Sequence, residues 1–212
     1  MHTILVMNPK GGSGKTTLST NIAGYFASWG VKVSIADFDP QESALDWLAA
    51  RPPELAKING FAVSGAVFQP PAGTEYLILD VPSGLNGDKL LPWVHRADRI
   101  VMPVLPSPHD IRAAKRFLDW LATDERLEND VPSFAIVANR VRRTTRSFQT
   151  LKTFLETSPV PCVGILRDTQ NYVLAAQNGL SIFELPLYRA KADLEQWQRL
   201  VKWLCLDPRF FE

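Results

Sequence analysis

The stretch MNPKGGSGKTT, residues 7–17, sets glycines at 11, 12 and 14 around a serine and ends on a lysine and two threonines. Glycines at that spacing let a backbone curl until its N–H groups converge on phosphate oxygens, and a helix starting just after them adds the positive end of its dipole. Gly11, Gly12, Ser13, Gly14, Lys15, Thr16 and Thr17 are therefore a candidate phosphate cradle. In it Lys15 would reach the outer phosphates of a nucleotide, and the Thr16 hydroxyl would ligate Mg²⁺. A plain glycine turn before a helix is the bland alternative. Such a loop needs one lysine, so the second, Lys10, requires its own account.

Carboxylates recur where a strand would end. ADFDPQESALDW (36–47) offers Asp37 and Asp39, and YLILDVPSG (76–84) offers Asp80 behind four residues with apolar bulk. Acidic groups just past the carboxyl end of a parallel strand lie in the crevice where such sheets bind ligands. A buried strand would hold the Asp80 carboxylate rigidly near a metal ion. The pair at 37 and 39 could instead cap the helix expected near Gln41. Further on, AIVANRVRRTTRSFQTLKTFL is the most basic stretch of the chain. Arg140, Arg142, Arg143, Arg146 and Lys152 fall within one loop and the following helix, with only Glu156 nearby, and Arg167 extends the set after the next strand. A cluster this dense could neutralise DNA phosphates without reading bases; a solvated basic face is the alternative.

These residues need a sheet to hold them. The runs 3–8, 32–37, 76–81, 99–105, 134–139 and 163–166 read as strands, mostly without polar alternation, as strands buried on both faces do. Stretches 15–29, 41–50, 109–122, 145–157 and 190–204 have helical spacing. The alternation predicts a doubly wound α/β fold, a mostly parallel sheet with helices on both faces. Residues 51–73, rich in proline and glycine, read as a surface excursion within that sheet, and 1–212 as a single domain. A net charge of +1 argues against a chain that coats nucleic acid all over, leaving room for a local patch. Cys162 and Cys205 are the two cysteines, far apart and without metal-like spacing, which suits a reducing cytoplasm. The short apolar start and the lack of a bilayer-length run predict a soluble cytoplasmic protein.

A conventional phosphate loop would have glycine at position 9, and this chain has Pro9. KGGSGKT instead resembles the deviant Walker A motif, KGGxGK[ST], of the ParA/MinD superfamily of P-loop ATPases. DFDPQ resembles that superfamily's DxDPQ segment, and DVPSG its Walker B and second switch. The resemblance implies ATP and Mg²⁺ as cofactors and assigns Lys10 to the phosphates bound by the other subunit of a nucleotide-sandwich homodimer. It makes Asp39 the carboxylate that positions the attacking water and lets Asp37 and Asp80 support the metal with Thr16. Asn139 and Pro186 are placed by it near the adenine, and the proline-rich VMPVLPSPHD at the subunit interface, although prolines also simply stop a strand and start a helix.

Small size and DxDPQ favour the ParA branch. The expectation is a nucleoid-associated ATPase that dimerises with ATP, binds nonspecific DNA, and releases it when a ParB-like or cargo-adaptor protein stimulates hydrolysis, so segregating plasmid or chromosomal DNA. The alternative keeps the ATPase and makes the cargo a protein assembly, such as a microcompartment or chemoreceptor cluster. Another is a MinD-like membrane-associated division regulator, disfavoured because the end, LDPRFFE, does not read as a basic amphipathic helix. The chain starts directly at its first strand, so operator binding through an N-terminal extension is not expected.

Overall fold

The computed structural model describes residues 1–65, 68–85, 87–124, 126 and 132–205. Seven strands, β1 (His2–Val6), β2 (Val33–Asp37), β3 (Ile58–Ala62), β4 (Tyr76–Asp80), β5 (Arg99–Val104), β6 (Ser133–Val141) and β7 (Cys162–Arg167), form one sheet in the order β3-β2-β4-β1-β5-β6-β7. Every neighbouring pair is parallel. The helices are α1 (Lys15–Ser28), α2 (Ser43–Ala49), α3 (Leu91–Val94), α4 (Pro108–Thr123), α5 (Arg146–Thr157), α6 (Gln170–Gln177) and α7 (Leu187–Leu204).

Alternation along β1 shows how the two cores are built. Ile4 and Val6 join residues of α1, α2, α6 and α7 on one face, while Leu5 and Met7 join α3, α4 and α5 on the other. Strand residues are thus apolar at successive positions because both faces are covered. Trp197 and Leu204 of α7 are fully buried on the first face, with Leu194 and Val201 packed beside them.

Residues 51–73 depart from the sequence expectation. They contain β3, which pairs with β2 from Val33↔Ile58 to Asp37↔Ala62 and forms an edge of the sheet. Its sequence, INGFA, has one buried residue out of five, so it lacks the continuous apolar run that marks the inner strands. An edge strand is covered on fewer sides, and its hydrogen bonds come from its neighbour rather than from its own composition.

Register does the rest of the positioning. Asp80 at the end of β4 is level with Val6 of β1 and with Asp37 of β2, so the carboxyl ends of three strands open at one height. The chain crosses from one side of β1 to the other between β4 and β5, and a crevice above that crossing is where such sheets take ligands.

Candidate nucleotide site and basic face

A cavity of about 930 Å³ opens above this edge. It is lined by the loop residues Gly11, Gly12 and Gly14 to Thr17, by Asp39 with Pro40 and Gln41, by Pro82 with Ser83, by Asn139 and Arg140, and by residues from Arg167 to Gln177 around the start of α6.

The loop is tied to the sheet at several points. Asn8, buried at the end of β1, donates its amide to Pro103 O and accepts from Lys10 N–H at 2.7 Å. Pro9 O accepts from Gly84 N at 2.9 Å, which brings the Pro82–Gly84 turn against the loop. Asn139 donates to Ser13 O at 2.9 Å. Gly14 has φ 93° at the start of α1, and a Cβ there would run into the Asn139 amide. That position requires glycine for both conformation and space.

Lys15 is 8% exposed, and its Nζ is 3.5 Å from Lys10 O. Burial pulls its pKa down, opposed by Asp80 and Asp39. Asp80 is 1% exposed and neither carboxylate oxygen is hydrogen-bonded among the described residues. Burial pushes its pKa up to about 7, with the charge of Asp37 acting in the same direction. The nearby Thr16 and Ser19 hydroxyls and the Lys15 ammonium pull the other way, without closing a hydrogen bond of ordinary geometry. Ser19 Oγ is likewise buried without a partner. A bare carboxylate beside two hydroxyls is a donor set that suits a hydrated Mg²⁺ ion, which demands oxygen ligands and keeps several waters. Among the described residues no cluster of three or more His, Cys, Asp or Glu side chains could hold a metal by itself, so phosphate oxygens would have to complete such a shell.

Asp37 and Asp39 differ. Both oxygens of Asp37 accept backbone N–H groups, from Asp39 and from Ala44, each at 3.0 Å, and burial raises its pKa against those bonds. It therefore holds the turn into α2. Asp39 lines the cavity, gives Oδ1 to Gln41 N–H at 3.0 Å, and leaves Oδ2 without a hydrogen bond among the described residues. Lys10 is exposed on the outer side of the loop, is not among the residues lining the cavity, and its ammonium is in no ion pair among the described residues.

Asn139 lines the cavity directly beside the loop, its amide donating to Ser13 O and its Oδ1 accepting from Arg140 N–H at 3.0 Å. Pro186 precedes α7 and does not line the cavity. A further wall is made by Asp168, Thr169 and α6, including Tyr172, Val173 and Ala176. Sequence reasoning missed this wall; the strand-to-helix junction at ILRDTQNY, capped by the Thr169 hydroxyl on Asn171 N at 3.3 Å, was the available signal.

Of the basic residues, Arg140 and Arg167 line the cavity, whereas Arg142, Arg143, Arg146 and Lys152 do not. Arg142 pairs with Asp168 at 2.7 Å, Arg140 stands 3.6 Å from it, and Lys152 stands 3.6 Å from Glu156. Arg143 and Arg146 are exposed and in no ion pair among the described residues. Arg167 is set apart: its guanidinium is held by the fully buried Asp193 of α7, which also accepts from Asn171. Among the described residues no helix is long and apolar enough to cross a membrane. The terminal LDPRFFE, on which the sequence argument about a membrane tail rests, lies outside the described residues.

A glycine loop between the first strand of a parallel sheet and a helix, with a buried lysine behind it and a bare strand-end aspartate beside it, defines a P-loop nucleoside triphosphatase. Residues 4–182 match the CobQ/CobB/MinD/ParA nucleotide-binding domain, and the chain belongs to that family as an ATPase. It is 29% identical over 191 residues to the maintenance of carboxysome distribution protein A of Halothiobacillus neapolitanus, covering 86% of this chain and 87% of that one. The fold is similar to the ATP complex of Cyanothece McdA, with a TM-score of 0.74, 18% identity and coverage of 95% and 96% of the two chains. It is also similar to pNOB8 ParA bound to nonspecific DNA, with a TM-score of 0.52, 17% identity and coverage of 75% and 76%.

Proposed function

We propose that this ATPase is a single-domain positioning switch: with ATP and Mg²⁺ it forms a homodimer that binds DNA nonspecifically over the nucleoid, and an adaptor on a protein cargo triggers hydrolysis and release. The observation that carries the choice of cargo is the near full-length match to a carboxysome-distribution protein. A second reading, segregation of plasmid or chromosomal DNA through a ParB-like partner, is favoured by the similarity to a ParA that binds nonspecific DNA.

Each residue has a part in this cycle. The loop N–H groups from Gly11 to Thr17 grip the phosphates, and Lys15, desolvated, sets a cation against the outer ones. Asp39 orients the attacking water through its free Oδ2. Mg²⁺, held by the Thr16 hydroxyl and through water by Asp80, would neutralise charge on the phosphate oxygens. Lys10, exposed and in no ion pair among the described residues, reaches the phosphates in the partner's cavity much as an arginine finger does. Asn139 is the clamp that keeps Ser13 O, and with it the loop, in place.

Two experiments test the reading. Lys10→Ala should remove ATP-dependent dimerisation measured by light scattering while leaving nucleotide binding to the monomer; a variant that dimerises normally overturns the role given to Lys10. In the source organism, deletion of the gene should collapse a labelled microcompartment shell protein into aggregates while a labelled DNA locus stays evenly spaced. Missegregation of the locus with normally spaced shells selects the second reading.

A further inference from the structure

The cations of the basic face are not equivalent, and one carboxylate separates them. Asp168 follows β7 directly, and its N–H donates to Val141 O at 3.1 Å, which seats it beside the end of β6. Its Oδ2 accepts from Arg142 Nε at 2.9 Å and Nη2 at 2.7 Å, and its Oδ1 is 3.6 Å from Arg140 Nε. Asp168 and Arg140 also line the nucleotide cavity, whereas Arg142 does not. Arg140 has φ 51°, a left-handed conformation that a non-glycine residue rarely adopts, and its N–H is bonded to Asn139, the residue that clamps the phosphate loop. One carboxylate thus faces two ways: toward guanidiniums of the basic face and toward whatever fills the cavity.

The geometry points to Asp168 as a positioning residue that withholds Arg140 and Arg142 from DNA in the nucleotide-free protein and yields them once the hydroxyl and amino donors of a bound nucleoside triphosphate compete for its oxygens. The side chains of Arg142 and Arg140 are 73% and 62% exposed, and ion pairs that exposed are weak, so modest competition redistributes them. Arg143 and Arg146 are in no ion pair among the described residues and supply contacts in either state. The device gives the DNA face a nucleotide dependence within one subunit, in addition to any that dimerisation brings. It rests on reading the arginine face as a DNA surface.

The test is binding of a labelled duplex of arbitrary sequence by the full chain, with no nucleotide and with ATP and Mg²⁺, between 50 and 200 mM salt. Asp168→Asn keeps the shape and removes the charge. Without nucleotide, it should gain up to two phosphate contacts, so that the loss of affinity across that salt range grows about tenfold, and its ATP-to-apo affinity ratio should shrink. Asp168→Glu should restore parental behaviour. A merely structural role for Asp168 would lower the thermal midpoint and weaken binding in both states, and that result overturns the inference. So does an Asn variant whose nucleotide-free salt dependence matches that of a parent with normal ATP-dependent binding. A parent chain that binds the duplex in no nucleotide state overturns the DNA reading itself, and this inference with it.

Discussion

At the phosphate loop, Asp80 is buried with neither oxygen hydrogen-bonded among the described residues and Lys15 is buried behind one 3.5 Å contact; elsewhere on the cavity lining, Asp168 is part-exposed and paired with two arginines. Leaving a buried carboxylate without a partner is costly, and the cost is tolerated when a ligand supplies what is missing. The loop region is therefore preorganised for a charge that arrives with the nucleotide, so that little reorganisation is needed when the phosphoryl group is transferred. Around Asp168 the charges have satisfied one another, and a ligand there must compete for groups already in use. One region suits chemistry that depends on placement to fractions of an ångström. The other suits a salt-sensitive grip on phosphates that tolerates loose placement.

The contrast can be broken most severely at Lys15. Lys15→Ala should cut ATP hydrolysis by about 100-fold or more, the loss typical of removing one preorganised donor, as measured by phosphate release at saturating ATP. Retention of most activity would mean that the buried cation is not what the cavity is built around.

Asp80 comes next, through pH. With its folded pKa near 7 against 3.8 for the free side chain, the folded chain keeps a proton between about pH 4 and 7 that the unfolded chain has lost. Asp80 therefore makes nucleotide-free stability fall as pH rises through that window. Asp80→Asn should remove this slope, giving a thermal midpoint above the parent's at pH 8 and one close to it near pH 4. A parallel offset at every pH would show that the carboxylate is not carrying a desolvation cost. The same variant should lose Mg²⁺-dependent hydrolysis.

The smallest effects belong to the exposed arginines. Arg143→Ala and Arg146→Ala should each reduce the salt dependence of DNA binding by roughly one phosphate contact. Neither should shift folding stability by more than about 0.5 kcal/mol in a denaturant titration, since both are exposed and in no ion pair among the described residues. A large stability loss at either would erase the distinction between the phosphate loop and the arginine face.

Legibility followed the same division. KGGSGKT, Asp39 and Asp80 could be read from the chain because each sits within a few residues of the strand end that places it, and the inner strands announce themselves by continuous apolar runs. β3 could not, since INGFA owes its strand to a neighbour across the sheet. Asn139 could be read as a strand-end amide near a nucleotide, but not its bond to Ser13 O, 126 positions away. Pro186 precedes α7 outside the cavity lining, and the contribution of Tyr172 and Val173 of α6 to that lining was not legible in the chain. The arginine cluster was visible as composition, but not which members are paired: Arg167 belongs to Asp193, and Arg140 and Arg142 share Asp168.

The sequence by itself determined the alternation of strands and helices, the glycine loop and the carboxylates near it, because turn conformation, burial on both faces and strand ends are local properties. Only the tertiary structure decided that neither Asp80 oxygen finds a hydrogen bond among the described residues, that Asp37 holds the turn into α2, and that one aspartate joins the cavity to the arginines. Desolvation and pairing depend on what other parts of the chain bring within a few ångströms, and register across the parallel sheet, rather than spacing along the chain, sets those distances.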